Sequence, residues 1–130
     1  MATRSKEKTA KRLAEKDLRP SAKAKYIRIS PTKVRVVIDT VRGKDVNEAL
    51  AMLQATPKAA SSVVYKLIAS AAANAEHNKN LAKADLYVAE IYADGGPILK
   101  RIQAVSKGRA NRINKRTSHI TVILDTKEVK

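Results

Sequence analysis

The chain has 130 residues, with 27 Lys and Arg against 12 Asp and Glu, a formal net charge of +15 and a sequence pI near 10.3; it fits one domain and carries far more charge than the magnitude of about 2–8 that keeps a small domain soluble. It contains no cysteine, which excludes a disulfide framework and a cysteine-based zinc site and gives secretion no support. No apolar run approaches the ~18 residues of a membrane span, and no apolar core follows the charged start as in a signal peptide, so a reducing cytoplasm is the expected setting.

The charge sits at the two ends. Residues 1–25 hold nine Lys and Arg against three acids, residues 26–94 nine against seven, and residues 95–130 nine against two. The middle reads as an ordinary domain and the flanks as polyanion-binding arms.

In chain order, residues 1–24 form a basic tail whose sizeable apolar residues are Leu13 and Leu18. It cannot bury enough to fold alone, and it is expected to be disordered without a partner, although residues 5–17, rich in Ala, Lys, Glu and Arg, could turn helical on one. Residues 25–126 are the predicted single body and residues 127–130 a short end tail. Residues 25–29 alternate and read as a short strand with Ile27 and Ile29 on one face. Ser30-Pro31 then opens a helix, with Ser at the cap and Pro at the first position, and Val34, Val37, Ile38 and Val41 recur at helical spacing until Gly43 ends it. Asp45 and Glu48 resemble a capping box ahead of Ala49, Leu50 and Leu53, a short second helix. Thr56-Pro57 starts a third, whose stripe Ala60, Val63, Val64, Leu67, Ile68, Ala71, Ala72 and Ala75 narrows to alanine, suiting close packing under a sheet. Residues 86–93 and 118–124 read as strands, the second with Ile120, Val122 and Leu124 on one face and His119 and Thr121 on the other.

Between those strands lie residues 95–116, too many for a tight turn. If the strands continue outward, each limb of about 11 residues reaches roughly 35 Å at about 3.3 Å per residue, with Ser106-Lys107-Gly108 as the tip and Gly95-Gly96-Pro97 as a flexible or bulged base. From Gly95 through Leu124 there are seven cations, Lys100, Arg101, Lys107, Arg109, Arg112, Lys115 and Arg116, and no acid. A charge run is ordinarily a solvated face, but a solvated arm would tolerate balancing acids. Ordering an isolated, self-repelling ribbon also costs on the order of 1 kcal/mol per residue in backbone entropy. Nucleic acid, and RNA before DNA, is the expected partner.

A second basic set, Lys25, Arg28, Lys33 and Arg35, gathers at the first strand and the following helix start, where free amides add to phosphate binding. The bland alternative is ordinary surface cations. The four tyrosines lie outside the arm and there is no Phe or Trp, so recognition by base stacking is weak and shape and phosphate are the expected targets. His77 and His119 are the two imidazoles. Neither has the spacing of a metal or catalytic set; His119, beside the arm, is expected to hydrogen-bond phosphate or local backbone. No catalytic residue, metal or cofactor is expected. Gly95-Gly96-Pro97 lacks the Lys-Ser/Thr of a nucleotide-binding loop and reads as a turn.

These residues carry a resemblance. Residues 29–35 (Ile-Ser-Pro-Thr-Lys-Val-Arg), Val41-Arg-Gly-Lys44, residues 73–78, Gly96-Pro97 followed by Lys100-Arg101, Gly108-Arg-Ala110 and residues 114–121 stand in order across about residues 22–126, and this pattern resembles the L-twenty-two family of bacterial large-subunit ribosomal proteins. The resemblance implies an α+β body of three helices on a small three-stranded antiparallel sheet, with a long extended β-hairpin arm. It also implies a role in the ribosome: binding 23S rRNA, supporting subunit assembly, touching neighbouring large-subunit proteins, and sending the hairpin toward the wall of the peptide exit tunnel. There residues Gln103, Ala104, Val105, Ser106, Lys107 and Gly108 would meet the nascent polypeptide. Family members carry an Arg-Pro-Arg-Ala-like run where this chain has Gln103 to Ser106.

No membrane, small-molecule substrate or obligate homo-oligomer is expected. Two rivals remain open at this point. An architectural DNA-binding protein with cationic β-arms would use an apolar wedge, for which Ile98, Leu99 and Ile102 are available, and a dimer. An RNA-processing enzyme would use His119 as acid or base.

Overall fold

The computed structural model describes residues 3–14 and 17–127. In order these are α1 (Thr3–Ala14), β1 (Ser21–Ile27), α2 (Pro31–Val41), α3 (Val46–Ala55), α4 (Ala59–Lys79), a 3-10 turn (Lys83–Asp85), β2 (Leu86–Gly95), β3 (Leu99–Ala104), β4 (Ala110–Lys115) and β5 (Ser118–Thr126). The class is α+β, with α2, α3 and α4 packed on a three-stranded antiparallel sheet in the order β1-β5-β2. Of the predicted end tail, Lys127 belongs to the body: its amide bonds Asp85 O at 2.9 Å and its Nζ reaches Asp45 Oδ2 at 2.6 Å. The remaining residues, 128–130, lie outside the described residues.

Helix α2 starts where the sequence signals it, with Pro31 in the first turn, and it buries Pro31, Val34, Val37, Ile38 and Val41. Gly43 then takes φ +75, a turn conformation that glycine adopts without steric penalty. That turn lets Gly43 N donate to Val88 O and Val88 N donate to Lys44 O, both at 2.9 Å, so the α2–α3 connection seals the open edge of β2. The capping box ahead of α3 does not form. The Asp45 side chain caps nothing and pairs with Lys127, and Glu48 pairs with Lys44 at 2.8 Å. Helix α4 buries Val64, Leu67, Ile68, Ala71, Ala72 and Ala75. Its alanine end lies against β1, where Ala22 and Ala24 face the same core, and small residues on both sides let the backbones approach.

The first strand departs from expectation. It begins at Ser21, not Lys25, and ends at Ile27; its first half, Ser-Ala-Lys-Ala, lacks the branched residues that mark strands. Pairing to the centre of β5 (Ala22↔Val122, Ala24↔Ile120) supplies what propensity does not. Tyr26 sits at φ 57, and the register shifts between Ala24 and Ile27. Ile29 N then bonds back to Ile27 O at 2.8 Å, a tight turn that stops the strand.

The basic tail is correspondingly shorter than residues 1–24, and part of it is helical. Helix α1 is rich in strong helix formers, and Glu7 stands four residues before Lys11 in the stabilising order. At its root Arg19 acts as a clasp. Its Nη2 reaches Asp17 Oδ2 and Glu90 Oε1, each at 2.7 Å, with Asp125 Oδ2 at 3.9 Å from Nη1, and Pro20 O accepts from Leu124 N at 2.8 Å. Hydrogen bonds from the Arg19 side chain and backbone hold the Asp17 carboxyl down to about 2.

Candidate nucleic-acid interface

Strands β3 and β4 form a two-stranded sheet of their own, paired from Leu99↔Lys115 to Ala104↔Ala110. They are not continuations of β2 and β5. Pro97 has no amide to give a ladder, and the amide of Gly96 goes to Thr117 O at 2.9 Å while Thr117 Oγ1 donates to Pro97 O at 2.7 Å. The base expected to be flexible or bulged is therefore a bonded joint. A Cβ on Gly96 would collide with Thr117 Oγ1 and crowd the His119 ring, so glycine is required by space. The tip lies where the sequence puts it: Lys107 and Gly108 both take positive φ, 59 and 70, a handedness suited to reversing a twisted strand. Val105 N donates to Arg109 O at 2.9 Å across it.

The register decides how the charge is displayed. Directly opposed residues share a face, and alternate residues share a face along a strand. Arg101 and Lys115 therefore fall on one face of the ribbon and Lys100 and Arg112 on the other. Lys107 sits in the tip with Arg109 just after it, Arg116 stands at the root, and all seven side chains are exposed. Each face also shows aliphatic carbon: Leu99 and Ile113 on one, and on the other Ile102, which is 78% exposed. The ribbon has no inner side.

At the root the arm meets the body. Arg28, Ser30 and Lys33 join Asn114, Lys115 and Arg116 around an open groove of about 510 Å³ with no acidic residue in its lining. Two body cations and two arm cations from the predicted set are thus brought together at the start of α2. Lys25 is exposed farther along β1.

Arg35 and His119 serve the fold. The Arg35 Nε and Nη2 donate to Ala93 O at 3.1 and 2.8 Å, and Arg42, which was not among the candidate site residues, donates to Ile91 O at 3.1 Å while pairing with Asp39 at 2.8 Å. Both arginines tie α2 to carbonyls of β2, a use that becomes visible only once helix and strand are neighbours. His119 Nδ1 accepts from Tyr26 N at 3.0 Å, and its ring meets the Tyr26 ring edge-on at 4.9 Å. An accepting Nδ1 leaves the ring proton on Nε2; the imidazole braces the hairpin root against β1. Among the described residues no cluster of three His, Asp or Glu side chains could hold a metal ion, and no helix is long and apolar enough to cross a membrane.

The model of the family described as Ribosomal protein L22p/L17e matches residues 22–125. The chain belongs to that family. It is 58% identical over 100 residues to the large ribosomal subunit protein uL22 of Acetivibrio thermocellus, covering 77% of this chain and 80% of that one. It is 58% identical over 105 residues to the uL22 of Clostridium tetani (81% and 95%), and 51% identical over 115 residues to that of Lactobacillus gasseri (88% and 98%). The family is a structural, non-enzymatic one, which removes the RNA-processing alternative for His119. Its matched region contains the three-helix body and the whole hairpin; helix α1 and the Arg19 clasp precede it.

Proposed function

We propose that this chain is a structural constituent of the large ribosomal subunit that binds 23S rRNA, supports subunit assembly beside neighbouring ribosomal proteins, and works as a single copy in the ribosomes of the cytoplasm. The observation that carries this reading is the display of cations on both faces of a ribbon without an inner side. A protein that merely rested on a polyanion would charge one face; this ribbon suits insertion between RNA segments, with phosphates neutralised on each side. The groove formed by Arg28, Lys33, Lys115 and Arg116 would hold backbone phosphate where the arm leaves the body. Lys25, Lys107 and Arg109 extend the contact, and Arg35 and His119 support it from within.

In this reading the hairpin runs toward the peptide exit tunnel. Its tip, Gln103 to Gly108, holds one cation and otherwise small or neutral side chains, a surface that a passing nascent chain would meet without strong attraction. The architectural DNA alternative is weaker, because its wedge should stand at the tip. Ile102 lies in mid-strand opposite Arg112.

The test is titration of a 23S rRNA transcript with the full chain across a range of salt. Replacing Lys100, Arg101, Arg112 and Lys115 by Gln should make the slope of log affinity against log salt less steep by about 3, at 0.7–0.9 per lost phosphate contact. An unchanged slope, or a preference for duplex DNA over the transcript, overturns the proposal.

A further inference from the structure

Helix α1 lies outside the region matched by the family, and every side chain from Arg4 to Ala14 is exposed, including Leu13 at 61%. It carries five cations, Arg4, Lys6, Lys8, Lys11 and Arg12, against one acid, Glu7. Arg4, Lys8 and Arg12 recur every four residues, which puts them on one face at a rise of about 6 Å per step. Ser5 and Thr9 stand beside them, and together these five residues line one continuous shallow groove; Thr9 Oγ1 is already turned back onto Ser5 O at 2.9 Å.

We infer that α1 is a second RNA-binding element, which lays its Arg4–Lys8–Arg12 face along a phosphate backbone while Arg19 holds its root to the body. The pieces support each other physically. An isolated 12-residue helix is marginal in water, so α1 gains from a partner that neutralises its like charges. The partner is polyanionic, because nothing on the helix offers a core: Leu13 is its one large apolar side chain, too little for an acyl layer or a protein groove. The clasp gives the helix a fixed origin. Two residues separate Ala14 from Asp17, and the Arg19 guanidinium joins Asp17 to Glu90 on β2. A helix tethered that closely adds its contacts to those of the body at high effective concentration.

The inference relies on the proposed function only for which RNA is bound, so two RNAs separate the questions: the 23S transcript and a plain RNA duplex of unrelated sequence. The full chain is compared with a variant carrying Arg4→Gln, Lys8→Gln and Arg12→Gln, changes that keep helix propensity, and with the four-Gln hairpin variant. The expected result is a salt slope less steep by about 2–3 for the α1 variant on both RNAs, with unchanged thermal unfolding. If the hairpin variant binds the transcript as well as the parent while the α1 variant is weakened, α1 stands and the hairpin reading falls. Equal slopes for parent and α1 variant overturn the inference. So does loss of binding by that variant to phosphatidylglycerol vesicles with none to RNA, and so does a parent chain that binds neither RNA.

Discussion

The body and the hairpin of this protein are built on opposite principles. In the body, α2, α4 and β5 bring Val34, Ile38, Val64, Ile68, Ile120 and Leu124 to near-zero exposure, and the area removed from water holds the elements together. In the hairpin, Leu99, Gly96 and Ile113 are half-buried and every other residue from Pro97 to Arg116 is exposed. Its ladder of six pairs has backbone hydrogen bonds and almost no apolar burial behind them. One region carries its stability within itself; the other is shaped so that stability comes from what surrounds it. A mutation should therefore read differently in each.

The largest effect belongs to the core. Ile68 is fully buried and Ile102 is 78% exposed. Ile68→Ala is expected to destabilise the chain by about 2–5 kcal/mol, the transfer and cavity cost of a buried aliphatic side chain. Ile102→Ala should stay within about 0.5 kcal/mol. Urea unfolding of the RNA-free protein measures both, and a loss above about 1 kcal/mol for Ile102→Ala would mean that the hairpin has a core of its own.

Next comes the joint between the regions. At Gly96 a methyl group meets Thr117 Oγ1 and the His119 ring, while at Gly95 nothing lies within 4 Å. Gly96→Ala should cost about 1–3 kcal/mol by overpacking a buried threonine, and Gly95→Ala should be close to neutral. Amide signals of residues 117–119 and Tyr26 should shift in the first variant and hold in the second. Equal costs for the two would show that the joint has the slack the sequence suggested.

What the sequence made legible follows the same division. The helical stripes of α2 and α4, the faces of β5 and the Ser106–Gly108 tip were readable because each is a local pattern with a local cause: spacing, β-branching, or a glycine at a reversal. The early start of β1 was not readable, since Ser21 to Ala24 become a strand only by pairing with residues about one hundred positions away, Ala22 with Val122 and Ala24 with Ile120. The seven arm cations were legible as a set, whereas their division between two faces needed the Leu99↔Lys115 register. Charge alone could not separate Arg35 from Lys33. Both are cations at the start of one helix, but the first is committed to Ala93 O and the second lines the open groove. His119 is a similar case: its bond to the Tyr26 amide comes with Tyr26 at φ 57, a bend no local pattern announced.

The smallest effect concerns the clasp, which lies on the body's outer surface and depends on charge where the core depends on area. Arg19 holds the Asp17 carboxyl at about 2, below its ordinary value of 3.8. A depressed folded-state pKa means that the pairing stabilises the folded chain fully above about pH 4 and loses that contribution as pH falls through about 2. Because Asp17 is solvent-exposed and Arg19 only half-buried, the change in global stability should be slight and should shrink with added salt. The carboxyl carbon of Asp17, followed by NMR from pH 5 down, should titrate about two pH units lower than in Arg19→Gln, where it returns toward 3.8. Identical titration in the two proteins would show that Arg19 is not what pins the chain leading to α1, leaving the Leu124–Pro20 backbone bond as its anchor.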